Sequence, residues 1–309
     1  MAPSRLTVIV ISWNTRDLLA RCLAAVSRDG APLAPEVIVV DNASADGSAE
    51  LVASRFPSAR LIRNPDNRGF GRACNQALAL ARGDAVLFLN PDAEPCAEAL
   101  TQLVEFLEAR RDVGAVGPLL LTANGEPGLT YGYFPSIATA LLPLLRPLAR
   151  LLPGAPDLHA LGVVPAKLPL DAPSRDVDYL CGAAILVRRD LLMRLGGFDE
   201  RFFLYFEETD LCRRIHAAGF RVVLLPAARA LHREAGSREK RSGPALRDYY
   251  RSLNLYLRKH HGGAYVALVR ASLLLALGAR YLAARAMLEA GRADYYRASV
   301  RALREGAHA

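Results

Sequence analysis

The sequence lacks the glycine-rich loops with which many nucleotide-binding proteins hold phosphate groups. The junction after the first apolar segment is Ser12-Trp13-Asn14-Thr15, and it contains no glycine. A dinucleotide-binding Rossmann unit needs GxGxxG at this point, and a P-loop needs GxxxxGK followed by Ser or Thr. Neither motif occurs in the chain. Any diphosphate bound here needs another source of positive charge, and a divalent metal held by a carboxylate is the obvious substitute.

Cysteine pairs and long apolar runs are also missing. The five cysteines are scattered and none forms CxxC, which favours a reducing compartment, so we expect a cytoplasmic protein. A membrane-spanning helix needs about 20 consecutive apolar residues. The apolar stretches 138–152 and 264–288 are both interrupted by arginines, so we predict that they are peripheral at most. The first apolar run is too short for a signal peptide.

The chain carries an excess of positive charge. It has 309 residues, of which 52% are hydrophobic and 23% charged, and its formal net charge is +8. Such an excess suits an anionic ligand, a nucleic acid or an anionic membrane surface. No segment combines dense lysine and arginine with aromatic residues, which argues against nucleic acid.

Apolar segments alternate with segments of helical spacing through the first 120 residues. Strands are predicted at 6–12, 36–40, 60–62, 84–89 and 113–116, with helices at 15–27, 46–55, 71–81 and 96–110. Near-continuous apolar strands in this order predict an α/β fold with a mostly parallel sheet flanked by helices. Ligands of such sheets bind beyond the carboxyl ends of the strands. The four junctions there are rich in Asp and Asn: 12–14, 41–44, 64–69 and 90–94.

The second half of the chain is less regular. Residues 122–176 are rich in Pro and Leu without a clear period, which predicts an insertion or lid. Further strands are predicted at 177–180, 183–187 and 220–225, a strand or turn at 202–206, and helices at 189–195 and 208–218. After Gly243 the pattern is helical to near the end. We therefore predict a catalytic domain at 1–243 and a C-terminal helical extension at 244–309.

Two aspartates follow predicted strands. Asp92 comes after Asn90 and Pro91, where a carboxylate can hold Mg²⁺ or Mn²⁺, but a turn or a helix cap explains it equally well. Asp41 follows the second strand. It suits either an Asx turn or a carboxylate that accepts hydrogen bonds from a nucleobase or ribose.

Three acids mark the start of a helix after an aromatic run, namely Glu207, Glu208 and Asp210. One acid is enough to complement a helix dipole. Three acids beside aromatic residues, which raise a pKa by desolvation, favour a general base. His232 is a lone histidine of the kind that is more often structural, but it suits a metal if one lies nearby.

Taken together, the junctions resemble family 2 of the inverting glycosyltransferases, and within it the rhamnosyltransferase-like branch. The blocks that carry the resemblance stand in the family's order over about 230 residues, and the ordered set is specific although each block alone is weak. They are 8–14, 36–44, Asn64 with 67–70 and Asn75, 89–92, 181–183, 196–200 and 203–211, with His232 beyond.

The resemblance implies a nucleotide-diphospho-sugar (GT-A) fold and a set of roles. Asp41 would contact the pyrimidine, Asp92 and His232 would hold the Mg²⁺ or Mn²⁺, and Glu208 would be the base, with Glu207 and Asp210 beside it. The remaining donor-site residues implied are Ser12, Trp13, Asn14, Asn67, Gly69, Asn75, Gly182 and Asn90, which stands first in the family's DxD motif.

The resemblance also implies a nucleoside-diphosphate sugar as donor and a cell-surface glycan or lipid-linked acceptor, with L-rhamnose from dTDP-rhamnose as the first guess. Two alternatives stay open: a nucleotidyl- or sugar-phosphate transferase, and a non-catalytic relative that binds sugar nucleotides or acts as a scaffold. The oligomeric state is open as well.

The C-terminal segment suggests a membrane contact. On one assumed helix from Ala264, the arginines 270, 280, 285 and 292 share an arc of roughly 140° at ~100° per residue. Such a helix suits the interface of an anionic membrane, at the cytoplasmic face of the cell membrane. A helix packed on the catalytic domain or on a second subunit is the alternative.

Overall fold

A computed structural model of the chain describes residues 5–142, 165–233 and 244–305. The described residues divide into two compact units. The first comprises 5–132, 167–203 and 207–233, and the second comprises 133–142, 165–166, 204–206 and 244–305. The predicted insertion at 122–176 is therefore shared between the units. Its residues 143–164, and the predicted domain boundary at 243, lie outside the described residues.

The first unit is built around a nine-stranded sheet of order β3-β2-β1-β4-β10-β6-β11-β5, with β8 paired to β11. A separate pair joins β7 to β9. The strands in the described ranges are β1 (Leu6–Ser12), β2 (Glu36–Asp41), β3 (Arg60–Arg63), β4 (Ala85–Leu89), β5 (Ala93–Pro95), β6 (Val113–Leu121), β7 (Tyr131–Gly132), β8 (Arg175–Asp176), β9 (Tyr179–Leu180), β10 (Ala184–Arg188) and β11 (Arg221–His232).

Helices flank this sheet in the first unit and dominate the second. They are α1 (Arg16–Asp29), α2 (Ser48–Arg55), α3 (Phe70–Leu78), α4 (Ala99–Ala109), α5 (Ile137–Leu141), α6 (Arg189–Leu195), α7 (Glu207–Ala217), α8 (Pro244–His260), α9 (Gly263–Ala286) and α10 (Ala290–Glu305).

The mostly parallel sheet that the alternation predicts is confirmed. β3, β2, β1 and β4 run parallel, while β10 is antiparallel to both β4 and β6. All seven residues of β1 are buried, as are all five of β4. Strands with both faces covered need apolar side chains at successive positions, which explains why their sequences do not alternate.

Two strands differ from the prediction near one edge of the sheet. β11 was expected to end at Leu225 but continues to His232, because a register shift between Leu225 and Arg229 lets the strand pass Pro226. A bulge accommodates a proline, which has no N–H for the ladder. The short strand β5 was not predicted, and it pairs with this extension of β11. The pairing sets His232 opposite Ala93, next to Asp92.

The second unit is largely helical, as predicted for the chain after Gly243. α9 ends at Ala286, so Arg292 lies on α10 and the single arginine arc predicted for this segment is wrong. Within the described residues, α9 alone is long and apolar enough to cross a membrane, judged by length and composition. By these two criteria α9 could cross a membrane despite its three arginines. This differs from the prediction that the arginines limit 264–288 to a peripheral contact.

Candidate active site

The carboxyl ends of β1, β2 and β4 lie at the same rim of the sheet. β1 pairs in parallel with both neighbours, with Ser12 opposite Asp41 and Val10 opposite Leu89. Because parallel strands end in the same direction, the polar junctions at 12–14, 41–44 and 90–92 share this rim. The rim is the edge at which the sequence predicted a ligand site.

Asp41 has one carboxylate oxygen that no group in the described part of the chain satisfies. The residue is 4% exposed, and its Oδ2 accepts a hydrogen bond from the backbone N–H of Ser44 at 3.1 Å. Its Oδ1 is buried and has no hydrogen-bond partner. Leaving a buried acceptor unsatisfied costs about 1–3 kcal/mol. This oxygen is therefore suited to a ligand that brings an N–H or O–H donor.

The loop after β1 is fixed against the loop after β2. Asn14, at φ 53°, donates its N–H to Ser44 Oγ at 2.9 Å, and its Oδ1 accepts from Ala45 N–H at 2.8 Å. Ser12 is buried with its Oγ 2.9 Å from Thr15 Oγ1. Trp13 is 46% exposed. An accessible aromatic ring on a fixed loop is suited to stacking against a nucleobase.

An amide network joins the ends of β2 and β3 to α3. Asn64 Nδ2 donates to Asn42 Oδ1 at 2.8 Å and to Gln76 Oε1 at 2.9 Å. Asn42 Nδ2 donates to Gly69 O at 3.1 Å and to Asn67 Oδ1 at 3.3 Å. The network holds the loop at 64–69. Asn64 was visible as part of a polar junction, but nothing in the pattern singled out Gln76.

Gly69 stands where no larger residue fits. Its φ is +79°, and a Cβ there would lie 2.5 Å from the backbone oxygen of Phe203. That same oxygen accepts a hydrogen bond from Phe70 N–H at 3.0 Å. The close approach holds the start of α3 against the segment that precedes α7.

Asn75 is engaged within the protein on both sides of its amide. Its Nδ2 donates to Phe198 O and its Oδ1 accepts from Phe198 N–H, both at 2.9 Å. These bonds fix the turn that follows α6, where Gly197 has φ +68°. Its expected place along the donor, like that of Asn67 and Gly69, stays a prediction.

Asp92 and His232 form a pair at the rim. His232 Nε2 lies 3.4 Å from Asp92 Oδ1, and each side chain is 15% exposed. Arg233 N–H also donates to Asp92 O at 3.0 Å. No group of three or more possible metal-binding side chains occurs among the described residues. A carboxylate and an imidazole fit a cation that takes its other ligands from water and substrate phosphates.

The Asp92 junction is linked to Glu208 through β10 and the residues that precede it. Asn90 N–H donates to Ala183 O at 2.9 Å. The next residue back is Gly182, where a Cβ would lie 3.5 Å from Glu208 Cγ, in ordinary van der Waals contact. The contacts thus bring Glu208 to the same rim as Asp92.

The two glutamates at the start of α7 have raised pKa values. Burial raises the pKa of Glu208 to about 7. Burial, followed by the charge of Glu208, raises the pKa of Glu207 well above its usual range. Glu207 is 5% exposed and its Oε2 has no hydrogen-bond partner. A carboxyl group with a pKa near 7 is suited to take up a proton at neutral pH, as a general base does.

Asp210 is held in an ion pair. It is fully buried, and Arg214 Nε donates to its Oδ2 at 2.7 Å. Arg214 also donates to Leu195 O at 3.0 Å and Gly197 O at 2.8 Å, so the pair ties α7 to the end of α6. Asp210 therefore has a structural task, and Glu208 is the better placed of the two to act as a base.

The chain matches the family model of glycosyl transferase family 2 over residues 7–196. It is 30% identical over 313 residues to the N-acetylglucosaminyl-diphospho-decaprenol L-rhamnosyltransferase of Mycobacterium tuberculosis H37Rv, covering 93% of this chain and 95% of that protein. It is also 28% identical over 203 residues to the rhamnosyltransferase WbbL of Escherichia coli K12, covering 62% and 70%.

Solved structures of similar fold include a mannosyltransferase and a protein in complex with UDP-GlcNAc. The mannosyltransferase of Pyrobaculum calidifontis with GDP-Man and Mn²⁺ superposes with a TM-score of 0.58 at 22% identity, covering 99% of this chain and 88% of that one. Residues 1–349 of Staphylococcus aureus TarS with UDP-GlcNAc give 0.58 at 17% identity, covering 98% and 92%. At these identities the likeness concerns the fold alone, and it confirms the predicted GT-A architecture.

Proposed function

Because the chain belongs to glycosyltransferase family 2, we propose that it moves a sugar from a nucleoside-diphosphate donor to a hydroxyl of a cell-surface glycan or lipid-linked acceptor. L-Rhamnose from dTDP-rhamnose is the first candidate, since the relatives in M. tuberculosis and E. coli are named as rhamnosyltransferases. The observation that carries the proposal is Glu208, a carboxyl group with a pKa of about 7 linked by contacts to the polar rim of the sheet.

The donor nucleotide binds at the ends of β1 and β2 in this proposal. The free Oδ1 of Asp41 accepts a hydrogen bond from the pyrimidine, and Trp13 offers its ring for stacking. A pyrimidine N3–H is a donor of the kind that this buried oxygen lacks. Ser12 and Asn14 hold the loop in place.

Asp92 and His232 would hold the divalent cation, Mg²⁺ or Mn²⁺. Two of the solved structures with similar folds contain Mn²⁺, the mannosyltransferase and GalNAc-T7. A bound cation neutralises the charge that develops on the leaving diphosphate. Two protein ligands are enough for such a cation when the phosphates and water complete its shell.

Glu208 acts as the general base. It accepts the proton of the acceptor hydroxyl while the hydroxyl oxygen bonds to the anomeric carbon. The bond from that carbon to the donor phosphate oxygen breaks, and its electron pair leaves with the nucleoside diphosphate. One displacement inverts the anomeric carbon and needs no protein nucleophile. Glu207, whose pKa is raised by burial and by the charge of Glu208, lies beside the base without sharing its task.

The C-terminal helices bind the surface of an anionic membrane in this proposal, at its cytoplasmic face. The exposed residues of α9 are apolar except for Arg285 and Gly263, and we call this set the leucine face: Ala264, Ala267, Leu268, Ala271, Leu275, Ala279, Leu282, Ala283 and Ala286. Residues 244–305 carry eleven arginines and lysines against four acids. Apolar contact combined with positive charge is what an anionic lipid surface selects.

The donor is identified by screening nucleotide sugars for thermal stabilisation in Mg²⁺ or Mn²⁺ and then for hydrolysis or transfer. We expect one nucleoside-diphosphate sugar to raise the melting temperature and to be consumed. A protein that binds a sugar nucleotide but never consumes it, with any acceptor or with water, would instead be the non-catalytic relative.

A further inference from the structure

A cavity of about 310 Å³ lies where α8 ends and α9 begins. Three of its six lining residues are basic or imidazole side chains, and none is acidic: Arg258, His261, Gly263, Val266, Ala267 and Arg270. The ring of His261 stacks on Tyr265 with 4.4 Å between the ring centroids, which fixes its position. A concave surface with this lining is suited to an anion.

The helix dipole accounts for only one of the two arginines. Arg258 is in the last turn of α8, where a cation complements the negative end of the helix dipole. Arg270 belongs to the second turn of α9, where that explanation has the wrong sign. The Nε of Arg270 is buried without a hydrogen-bond partner. The residue as a whole is half-buried, and a buried guanidinium N–H without an acceptor is suited to an anionic ligand.

The backbone of α9 adds to the positive potential of the cavity. The helix begins at Gly263 after Gly262, and no side chain caps its first turn. The first N–H groups of a helix have no partner within it and carry the positive end of the dipole. Gly263 lines the cavity, and it has no side chain to keep an anion from the backbone.

We propose that this cavity binds the phosphate or diphosphate group of a lipid headgroup. Arginine donates to phosphate oxygens through charge-assisted hydrogen bonds. Ala267 lines the cavity and also belongs to the leucine face, so a bound phosphate would lie beside the surface assigned to the membrane. The lipid as the source of the phosphate rests on the proposed function, whereas the anion site itself does not.

Inorganic pyrophosphate is the probe for the site. Titration calorimetry of the full chain in EDTA measures its affinity without a metal at Asp92. Arg258 is exposed, and we expect Arg258→Gln to weaken binding about tenfold and the double variant with Arg270→Gln to weaken it further. The matched control removes two charges from α1, with Arg21→Gln and Arg28→Gln. Equal affinities in wild type and Arg258→Gln, or an equal loss in the control, would overturn the site.

Vesicles separate a lipid headgroup from a free anion. Co-sedimentation with phosphatidylcholine alone is compared with phosphatidylcholine that contains phosphatidic acid. If the arginine variants lose the gain from phosphatidic acid and the control keeps it, the ligand is the lipid phosphate. If pyrophosphate binding falls but the vesicle gain does not, the site holds a soluble anion and the lipid assignment is wrong.

Donor hydrolysis by the unaltered protein keeps this test apart from the proposed function. Pyrophosphate binding that depends on Arg258, in a protein that consumes no nucleotide sugar, would count against the proposed function and leave the anion site standing. Hydrolysis of a nucleotide sugar without pyrophosphate binding that depends on Arg258 would support the proposed function and overturn the anion site.

Discussion

The sheet unit and the C-terminal helices differ most in charge. Residues 244–305 hold eleven of the basic residues against four acids, while the rest of the chain has twenty-eight against twenty-seven. Almost all of the net charge of +8 therefore lies in the helices. A nearly neutral unit with buried acids is suited to chemistry on one ligand, whereas a basic helical segment is suited to a broad anionic surface.

Exposed apolar surface differs in the same way. β1 and β4 are buried throughout, whereas Leu268, Leu275 and Leu282 of α9 are 57%, 64% and 67% exposed. These leucines are seven residues apart and so lie on one side of the helix. The comparison teaches that the net charge of a chain indicates a partner only after it is assigned to a region.

The largest expected effect is in the sheet unit, at the base. Glu208→Gln removes the proton acceptor, and we expect turnover to fall by about 10³, within the range of general-base catalysis. Donor affinity, measured by titration calorimetry, should survive because Asp41 and Asp92 are unchanged. Glu207→Gln is the matched control. Burial and the charge of Glu208 raise the pKa of Glu207, which favours its uncharged form, so its amide should keep more of the activity than Glu208→Gln does.

The outcome that contradicts this assignment is specific. If Glu208→Gln turns over at the wild-type rate, the base lies elsewhere. If Glu207→Gln is inactive while Glu208→Gln is active, the roles of the two residues are reversed.

The next effect tests the helices. Replacing Leu268, Leu275 and Leu282 together by Gln should weaken binding to anionic vesicles about a hundredfold, at ~1 kcal/mol for each leucine. The control replaces three exposed apolar residues of the sheet unit by Gln, namely Leu129, Leu170 and Met193. Equal pelleting of both variants would remove the membrane role. A drop from dimer to monomer with unchanged pelleting would assign the face to a second copy.

A smaller effect is expected at the pair that would hold the metal. Asp92→Ala should weaken donor affinity in Mn²⁺ some tens of fold and abolish the difference between Mn²⁺ and EDTA, because His232 alone holds the cation poorly. Calorimetry with the donor measures both quantities. Glu126→Ala removes an exposed acid and serves as control. Unchanged affinity of Asp92→Ala in Mn²⁺ would refute the metal role.

The smallest effect concerns pH. Burial raises the pKa of Glu208 to about 7, and only its ionised form accepts a proton, so kcat/KM should fall about tenfold for each pH unit below 7. The fall should be absent from the residual activity of Glu208→Gln. A rate that is flat between pH 5 and 7 would show that this carboxyl group does not titrate in the reaction.

The sequence predicted the rim better than it predicted the elements around it. Ser12 and Asp41 end apolar strands and Asp92 follows one, and parallel pairing brings such positions together whatever the details of the helices. β5 escaped prediction because three residues after Asn90-Pro91 are too short to show a period. The extension of β11 was not predicted because a proline such as Pro226 usually marks the end of a strand, and the sequence does not show the bulge that lets the strand continue.

The hydrogen-bond and ion-pair partners of the side chains could not be predicted from the sequence, for a different reason. The ion pair between Asp210 and Arg214 has helical spacing, yet the same spacing is common on exposed helix faces and says nothing about burial. The amide network of Asn42, Asn64 and Gln76 joins the ends of β2 and β3 to α3. These three residues are far apart in the sequence, and only tertiary packing brings them into contact. The family resemblance implied the roles of the site residues, whereas their hydrogen-bond and ion-pair partners became visible only in the structure.

One structure would test the central proposal most directly: the chain crystallised with its nucleoside-diphosphate sugar and Mn²⁺. We expect the nucleobase of the donor to contact Asp41 Oδ1 and the cation to lie between the diphosphate and Asp92. We also expect Glu208 to face the anomeric carbon. A donor bound away from the ends of β1, β2 and β4, or a Glu208 carboxyl group turned away from the sugar, would contradict it.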